Sequence, residues 1–221
     1  CHQLENYPNF MGCARLRDVR LHKCSNIKGK PIFYGCEKLY SLEIDRCPLS
    51  EQVDLNDCVE LVTFDFRQGV EAVPLFSSCL QLADVGFKGS NINGTLVFGR
   101  HPLLNRINFT ECQELSQAAR MASFQSLIKS NPNIGLKFLN QFGISDLAPI
   151  QQVIFESTSP IYDFYSPYEH LDSIGKLATQ QFRMKFLEHL VKNNPKTALK
   201  YHLFFGIEDQ NYIIDLFKDT D

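Results

Sequence analysis

The stretch CARLRDVRLHKC, residues 13–24, returns in a related form as CEKLYSLEIDRC at residues 36–47. Three further segments align with these two: CVELVTFDFRQG from Cys58, CLQLADVGFKGS from Cys79 and HPLLNRINFTEC from His101. The intervals between the first residues of the five segments are 23, 22, 21 and 22. Repeats of this period predict a solenoid, because one copy alone cannot bury its apolar side and must stack on its neighbours.

Each copy has the form C-x-x-L-x-x-Φ-x-Φ, where Φ is an aliphatic or aromatic residue. Side chains alternate along a strand, so the Φ residues are predicted to fill the core and the residues between them to face outward. The pattern resembles the leucine-rich repeat. The F-x-x-C-x-x-L junction resembles the short, BspA-like class of bacterial repeats. Over residues 1–112 this resemblance implies an α/β solenoid with a parallel sheet and short convex segments.

The first residues of the chain continue the same alignment. Cys1 corresponds to Cys24 and Pro8 to Pro31, both at an offset of 23. The chain is therefore expected to begin just after a strand, with the solenoid truncated at its N-terminus. A mature N-terminal cysteine that carries a lipid is the alternative.

Every cysteine falls in one of two repeat columns. Repeat position thus accounts for all eight cysteines, and reduced thiols in the core are predicted, which favours a cytoplasmic location. A disulfide framework is the alternative explanation for such a number. The sequence has no C-x-x-C motif and no Cys/His quartet at zinc spacing, so neither a metal nor another cofactor is expected. The cysteines are Cys1, Cys13, Cys24, Cys36, Cys47, Cys58, Cys79 and Cys112.

Residues 113–221 contain no cysteine and have a helical period. LIKSNPNIGLKFLNQFGISDLAPI, residues 127–150, aligns with LVKNNPKTALKYHLFFGIEDQNYI, residues 190–213. The Asn-Pro pairs predict helix starts, and Gly143 and Gly206 predict left-handed residues at helix ends. We therefore predict an all-α helical-repeat domain made of two three-helix units. The helices are expected at about 116–130, 132–142, 146–155, 167–193, 195–205 and 209–218.

The FGI-x-D junction and the stretch IGKLATQQ, residues 174–181, resemble helical repeats found in bacteria that live inside eukaryotic cells. This resemblance implies a secreted effector that acts in the host cytosol. The order of repeats followed by helices also resembles secreted bacterial ubiquitin ligases. Those enzymes need a catalytic cysteine in the helical part, and the helical part of this chain has none.

Several function classes are disfavoured. The net charge of -3 shows no bias toward nucleic acid. No apolar run has the length of about 18 residues that a membrane span needs. His170, His189 and His202 are predicted to lie in helices without an acidic partner at a suitable spacing. We therefore expect neither an enzyme nor a small-molecule substrate, and the partner is expected to be another protein.

The candidate site is the concave sheet. One outward-facing row is predicted to contain Arg20, Glu43, Asp65, Gly86 and Asn108, and the next row His22, Asp45, Arg67, Lys88 and Thr110. Within these rows Glu43, Asp45 and Asp65 are predicted to form an acidic patch. The patch is bounded by Arg20, His22, Arg67 and Lys88. A solvated ladder of ion pairs without a binding role is the alternative interpretation.

Two functions remain open. The first is a protein–protein interaction module that binds its partner on the concave face, in the cytoplasm or, for a secreted effector, in the host cytosol. The alternative is a non-catalytic fragment of a larger enzyme, such as a ubiquitin-pathway component, in which the repeats serve as the substrate receptor.

Overall fold

The computed structural model of the chain describes residues 4–145, 153, 180–193, 198–199, 202–206, 211, 214–215 and 218. The chain divides into two compact units, Cys1–Gly143 and Ile144–Asp221. The first unit contains one sheet of five short strands. These are β1 Asp18–His22, β2 Ser41–Asp45, β3 Thr63–Phe66, β4 Asp84–Gly86 and β5 Arg106–Asn108.

The strands are parallel and lie in chain order from β1 to β5. The register pairs Asp18 with Ser41, Ser41 with Thr63, Thr63 with Asp84, and Asp84 with Arg106. These offsets equal the four intervals of the sequence repeat. One repeat therefore makes one turn of a parallel-strand solenoid, and this part of the predicted fold is confirmed.

The C-x-x-L motif forms the tight turn that leads into each strand. In the second turn the N–H of Cys36 donates to the carbonyl of Phe33, and the N–H of Leu39 donates to the carbonyl of Cys36, both at 3.0 Å. The thiol of Cys36 also donates to the carbonyl of Phe10 in the preceding turn, at 3.1 Å. Cysteine recurs in this column because a small side chain with a weak donor both fits the core and bonds to the neighbouring turn.

The core consists of the predicted inward-facing residues. Leu39, Leu42 and Ile44 of the second turn are at most 1% exposed. Burial of such a side chain contributes about 1.5–3 kcal/mol to stability, so stacked turns supply the cohesion that a single turn lacks. Aromatic rings continue the stack along the solenoid, in the order Phe64, Phe76, Phe98 and Phe142.

The cysteines that the structure describes are free thiols, and all but one are buried. Cys13 is the exception to the predicted burial. Its turn is the outermost in the described part of the solenoid, so no neighbouring turn covers it, and Leu16 is likewise only half-buried. Cys1 lies outside the described residues.

Helix α1, Gln117–Ser130, agrees closely with the helix predicted at 116–130, and Ser116 caps it by accepting a hydrogen bond from the N–H of Ala119. Its serines face the last returning segment of the solenoid. Ser123 accepts from the N–H of Leu96 at 2.8 Å, and Ser126 accepts from the N–H of Phe98 at 3.0 Å. The helix thus satisfies backbone groups that a further turn would otherwise pair.

The second predicted helix, 132–142, is shorter than expected. Helix α2 covers only Pro132–Gly135 and continues as a single 3-10 turn, Leu136–Phe138. Gly135 lies against α1, where a Cβ would come within 2.7 Å of the Ile128 side chain. Close packing therefore requires a glycine here, and glycine disfavours a longer regular helix. The left-handed residue predicted at Gly143 is confirmed, with φ at 66°.

In the second unit the structure describes helix α3, Gln180–Asn193, and a 3-10 turn, His202–Phe205. Gly206 follows this turn, with φ at 70°. The left-handed conformation predicted for Gly206 is confirmed. Most residues of the helices predicted at 146–155, 167–193, 195–205 and 209–218 lie outside the described residues. An all-α repeat domain and a domain boundary after residue 112 therefore stay predictions. None of the described helices has both the length and the apolar character needed to cross a membrane.

Candidate functional site

The sheet brings five of the predicted site residues together on its outward face. The register places Arg20 beside Glu43, Glu43 beside Asp65, and His22 beside Asp45. These side chains alternate with the buried strand residues, as the period of two requires. The first predicted row is therefore present on one face of the sheet. Of the second row the register pairs only His22 with Asp45, and Arg67, Lys88 and Thr110 lie beyond the ends of their strands.

Arg67 makes the closest ionic contacts on this face. Its Nε and Nη2 atoms each lie 2.7 Å from Oδ2 of Asp65, and Nη1 lies 2.8 Å from Oε1 of Glu43. The hydrogen bond to Asp65 is the main reason why the pKa of the Arg67 guanidinium is raised. One arginine thus neutralises two of the three carboxylates in the acidic patch.

The remaining contacts are longer. His22 reaches Glu43 at 3.7 Å and Asp45 at 3.6 Å. Arg46, which follows β2, lies 3.9 Å from Asp45 and donates a hydrogen bond to the side-chain oxygen of Gln68 at 3.1 Å. Every carboxylate of the acidic patch therefore has a cationic or ionisable neighbour.

Gly86 shapes the centre of the face. Because it has no side chain, the carboxylate of Asp65 lies over it, and a Cβ at this position would be 2.3 Å from Oδ1 of Asp65. That oxygen is buried and forms no hydrogen bond within the described part of the chain. The glycine thus accommodates a carboxylate that Arg67 holds flat against the sheet.

The charged groups are arranged in two layers. The acidic side chains are the less exposed ones, at 20% for Glu43 and 16% for Asp45. The cationic side chains are more exposed, at 41% for Arg67, 53% for Arg46 and 67% for Arg106. Lysine and arginine carry their charge at the end of a long apolar stem. The cations therefore form the outer layer of the face.

Two predicted site residues stand apart from the central contacts. Arg20 is exposed and forms no ion pair among the residues that the structure describes. Lys88 is paired with Glu111, beyond the end of β5, at a distance of 3.8 Å. The two therefore lie at opposite sides of the acidic patch, as predicted, but neither neutralises it.

The outward face of the sheet also contains a groove of about 290 Å³ that the sequence analysis did not predict. Arg106 is the first residue of β5 and belongs to the outward-facing column of Asp18, Ser41, Thr63 and Asp84, which the two predicted rows left out. Arg46 and Glu111 each follow the second predicted row by one position. The groove is lined by Asp45, Arg46, Asp65, Arg67, Gln68, Gly86, Lys88, Arg106, Asn108 and Glu111.

The buried thiols are poorly suited to nucleophilic chemistry. Burial raises the pKa of Cys24 to about 11 and that of Cys79 to about 12, so both stay protonated at neutral pH. Within the described residues, no group of three or more His, Cys, Asp or Glu side chains is placed to hold a metal ion. His202 is mostly buried, and its Nδ1 lies 2.7 Å from the carbonyl oxygen of Leu199. His170 and the side chain of His189 lie outside the described residues.

Comparisons with protein-family models, curated proteins and solved structures found nothing that matches the chain. The geometry of the outward face of the sheet is therefore what bears on its function.

Proposed function

We propose that the chain is a leucine-rich-repeat protein whose concave face binds another protein. The observation that carries this proposal is the groove, because it gathers charged side chains from β2 to β5 on one rigid parallel sheet. Solenoids commonly bind their partners on such surfaces. A rigid sheet also spares a partner the entropic cost of ordering the site.

The ion pairs of the face are available for recognition because the fold depends little on them. Pairs between exposed side chains contribute about 0–1 kcal/mol each, whereas the buried leucines and phenylalanines supply the main stabilisation. Arg67 is an exception, because its guanidinium is held by Asp65 and Glu43 at close distance. The more exposed Arg46, Lys88 and Arg106 are free to change partners at low cost.

The proposal further assigns residues 113–221 to an all-α repeat domain that positions the solenoid or binds a second protein. It includes no catalytic step. Action as a secreted effector in a host cytosol is part of the proposal, and its support is the resemblance of the FGI-x-D junction and of residues 174–181 to helical repeats of intracellular bacteria.

The test is partner capture from a eukaryotic lysate by the immobilised full chain, with identification by mass spectrometry. Two concave variants are used: an acidic set, E43Q, D45N and D65N, and a basic set, R46Q, K88Q and R106Q. Amides are preferable to charge reversal, because three lysines beside Arg67 would repel it within the sheet. A helical set, K129Q and K192Q, changes exposed lysines away from the strands and serves as the matched control.

We expect at least one concave set to lose a partner that the parent and the helical set retain. Melting curves of all variants establish that they are folded. Loss of the partner by the helical set alone would indicate that the binding site lies on the helices. Equal capture by all four proteins would leave the concave charges as a solvated ladder and contradict the proposal.

A further inference from the structure

The outer layer of the concave face is cationic, and three of its members border the groove. Arg46, Lys88 and Arg106 are each more than half exposed, while Asp45 and Asp65 lie lower on the sheet. A partner that approaches the groove therefore meets guanidinium and ammonium groups before it reaches Asp45 and Asp65, and Glu111 is the one carboxylate of the lining that is as exposed as the cations, at 57%.

These cations retain unused hydrogen-bonding capacity. The ammonium of Lys88 is 3.8 Å from the Glu111 carboxylate, which is beyond hydrogen-bond length. Arg106 approaches Asp84 through Nε, at 3.3 Å, and its two terminal nitrogens form no hydrogen bond with the described residues. Within the described part of the chain, Arg46 donates through Nε alone, to Gln68. Terminal N–H groups of both arginines and of the lysine are thus free for a ligand.

Two of the three acidic side chains of the groove are less accessible than the cations. Arg67 neutralises Asp65 at 2.7 Å, and Asp45 is only 16% exposed. A carboxylate from a partner would gain charge-assisted hydrogen bonds from three outer cations. A basic side chain would find one exposed carboxylate, Glu111, and would have to pass the cations to reach the other two.

We propose that the groove binds an acidic segment of the protein partner, with carboxylates contacting Lys88, Arg106 and Arg46. This inference rests on the proposed function and specifies the chemistry of the partner. A nucleic acid fits less well, because Asp45, Asp65 and the exposed Glu111 in the same groove would repel a regular row of phosphates. A peptide can place its carboxylates unevenly and avoid these residues.

The experiment uses the full chain and three fluorescently labelled probes: a short poly-glutamate peptide, a poly-lysine peptide of equal length, and a single-stranded DNA of similar charge. Binding is followed by fluorescence polarisation at low ionic strength and again at physiological salt. We expect poly-glutamate to bind and its affinity to fall with salt. The basic set, R46Q, K88Q and R106Q, should weaken it about tenfold or more. The acidic set removes negative charge beside these cations and should therefore bind poly-glutamate more tightly than the parent.

Poly-glutamate that fails to bind, or that binds the basic set as tightly as the parent, would overturn the inference. So would tighter binding of poly-lysine or of DNA than of poly-glutamate. The single variant Lys88→Gln, whose side chain is exposed and loosely paired, repeats the test should the triple variant fold poorly. The two proposals can fail separately. If poly-glutamate does not bind but capture of a lysate partner still depends on the concave face, only the acidic-segment assignment is refuted and the proposed function stands.

Discussion

The ring of His101 is bonded to the carbonyl of Cys79 in the preceding turn, with Nδ1 3.0 Å from the oxygen. The N–H of Gly99 donates to Nε2 of the same ring, also at 3.0 Å. An Nε2 that accepts carries no proton, so the neutral ring holds its proton on Nδ1 and donates it to Cys79. The histidine replaces the column cysteine of the earlier turns and makes the same kind of link, as Cys79 does to Leu55.

Acid should destabilise the solenoid through His101. Burial is the main reason why the pKa of this ring is lowered, and the bond to Cys79 offsets the effect only in part. In the unfolded chain the histidine is protonated with a pKa of about 6.5, whereas in the folded chain it stays neutral to a lower pH. The contribution of His101 is therefore fully present above that pH and is lost as the pH falls toward the folded pKa.

The measurement is the free energy of unfolding by denaturant at several values between about pH 7.5 and pH 5. The variant His101→Cys, which restores the column residue, should show a smaller loss on acidification than the parent. Identical pH profiles for the two proteins would mean that His101 does not titrate differently on folding.

Among the cysteines that the structure describes, thiol reactivity should single out Cys13. It is exposed, whereas burial raises the pKa of Cys24, Cys36, Cys58 and Cys79. In a Cys1→Ser background, a maleimide reagent applied to the native chain should therefore react rapidly at Cys13, and addition of Cys13→Ser should remove that rapid phase. Counting in denaturant should find all eight thiols of the sequence free. A lower count would indicate disulfides and argue against a reducing compartment.

Gly86 and Asp65 should be energetically coupled. Gly86→Ala would place a Cβ where Oδ1 of Asp65 now lies and displace the carboxylate from Arg67, at a cost of about 1–3 kcal/mol. In Asp65→Ala that space is empty, so adding Gly86→Ala should cost clearly less. A double-mutant cycle by denaturant unfolding measures the difference. Additive effects would show that the carboxylate does not occupy the space above the glycine.

Replacement of Gly143 or Gly206 by a β-branched residue should lower the stability of the fold. Both have positive φ, so Gly143→Val and Gly206→Val should each destabilise by about 1 kcal/mol or more. Among the described residues other than its chain neighbours, no atom lies closer than 3.8 Å to a Cβ at Gly143. Gly143→Asn, which tolerates this conformation, should therefore cost clearly less than valine. Valine and asparagine variants of equal stability would indicate that the backbone angle is not what matters.

Replacement of Lys23 by glycine should increase the stability of the fold. It has φ at 53° after β1, in the column that Gly89 occupies after β4. Lys23→Gly should relieve the left-handed strain and stabilise by up to about 1 kcal/mol, although glycine adds entropy to the unfolded chain. Lys28→Gly, at an extended position, is the control and should destabilise. A loss of stability in both variants would show that the strain at Lys23 is smaller than the entropic cost.

The backbone of the solenoid was predictable because, in a parallel stack, the number of residues per repeat sets which residues of neighbouring strands pair. Each repeat interval must equal one turn, and the offset of 23 between Asp18 and Ser41 repeats the interval between Cys13 and Cys36. Burial of the inward-facing residues followed from alternation. The exposure of Cys13 did not, because burial in a stack depends on the neighbouring turn as well as on the repeat position.

The candidate site was predictable only in outline. Alternation placed Glu43 and Asp65 on one face, but the rotamer by which Arg67 reaches both carboxylates is set by packing over Gly86. The two layers of charge could have been predicted from the sequence, because the side chains of arginine and lysine are longer than those of aspartate and glutamate and carry their charge farther from the sheet. Arg106 was missed because its strand column was not among the two predicted rows, and Arg46 and Glu111 were missed because they lie one position beyond the second row.

Helix α1 also sets the direction in which this molecule could be lengthened. The hydroxyls of Ser123 and Ser126 occupy the amide groups of Leu96 and Phe98, so the returning segment there cannot template another coil. A protein engineer who wished to add repeats would have to insert them between existing turns or ahead of β1. The same two hydroxyls also make the amides of Leu96 and Phe98 unavailable for pairing with a neighbouring molecule.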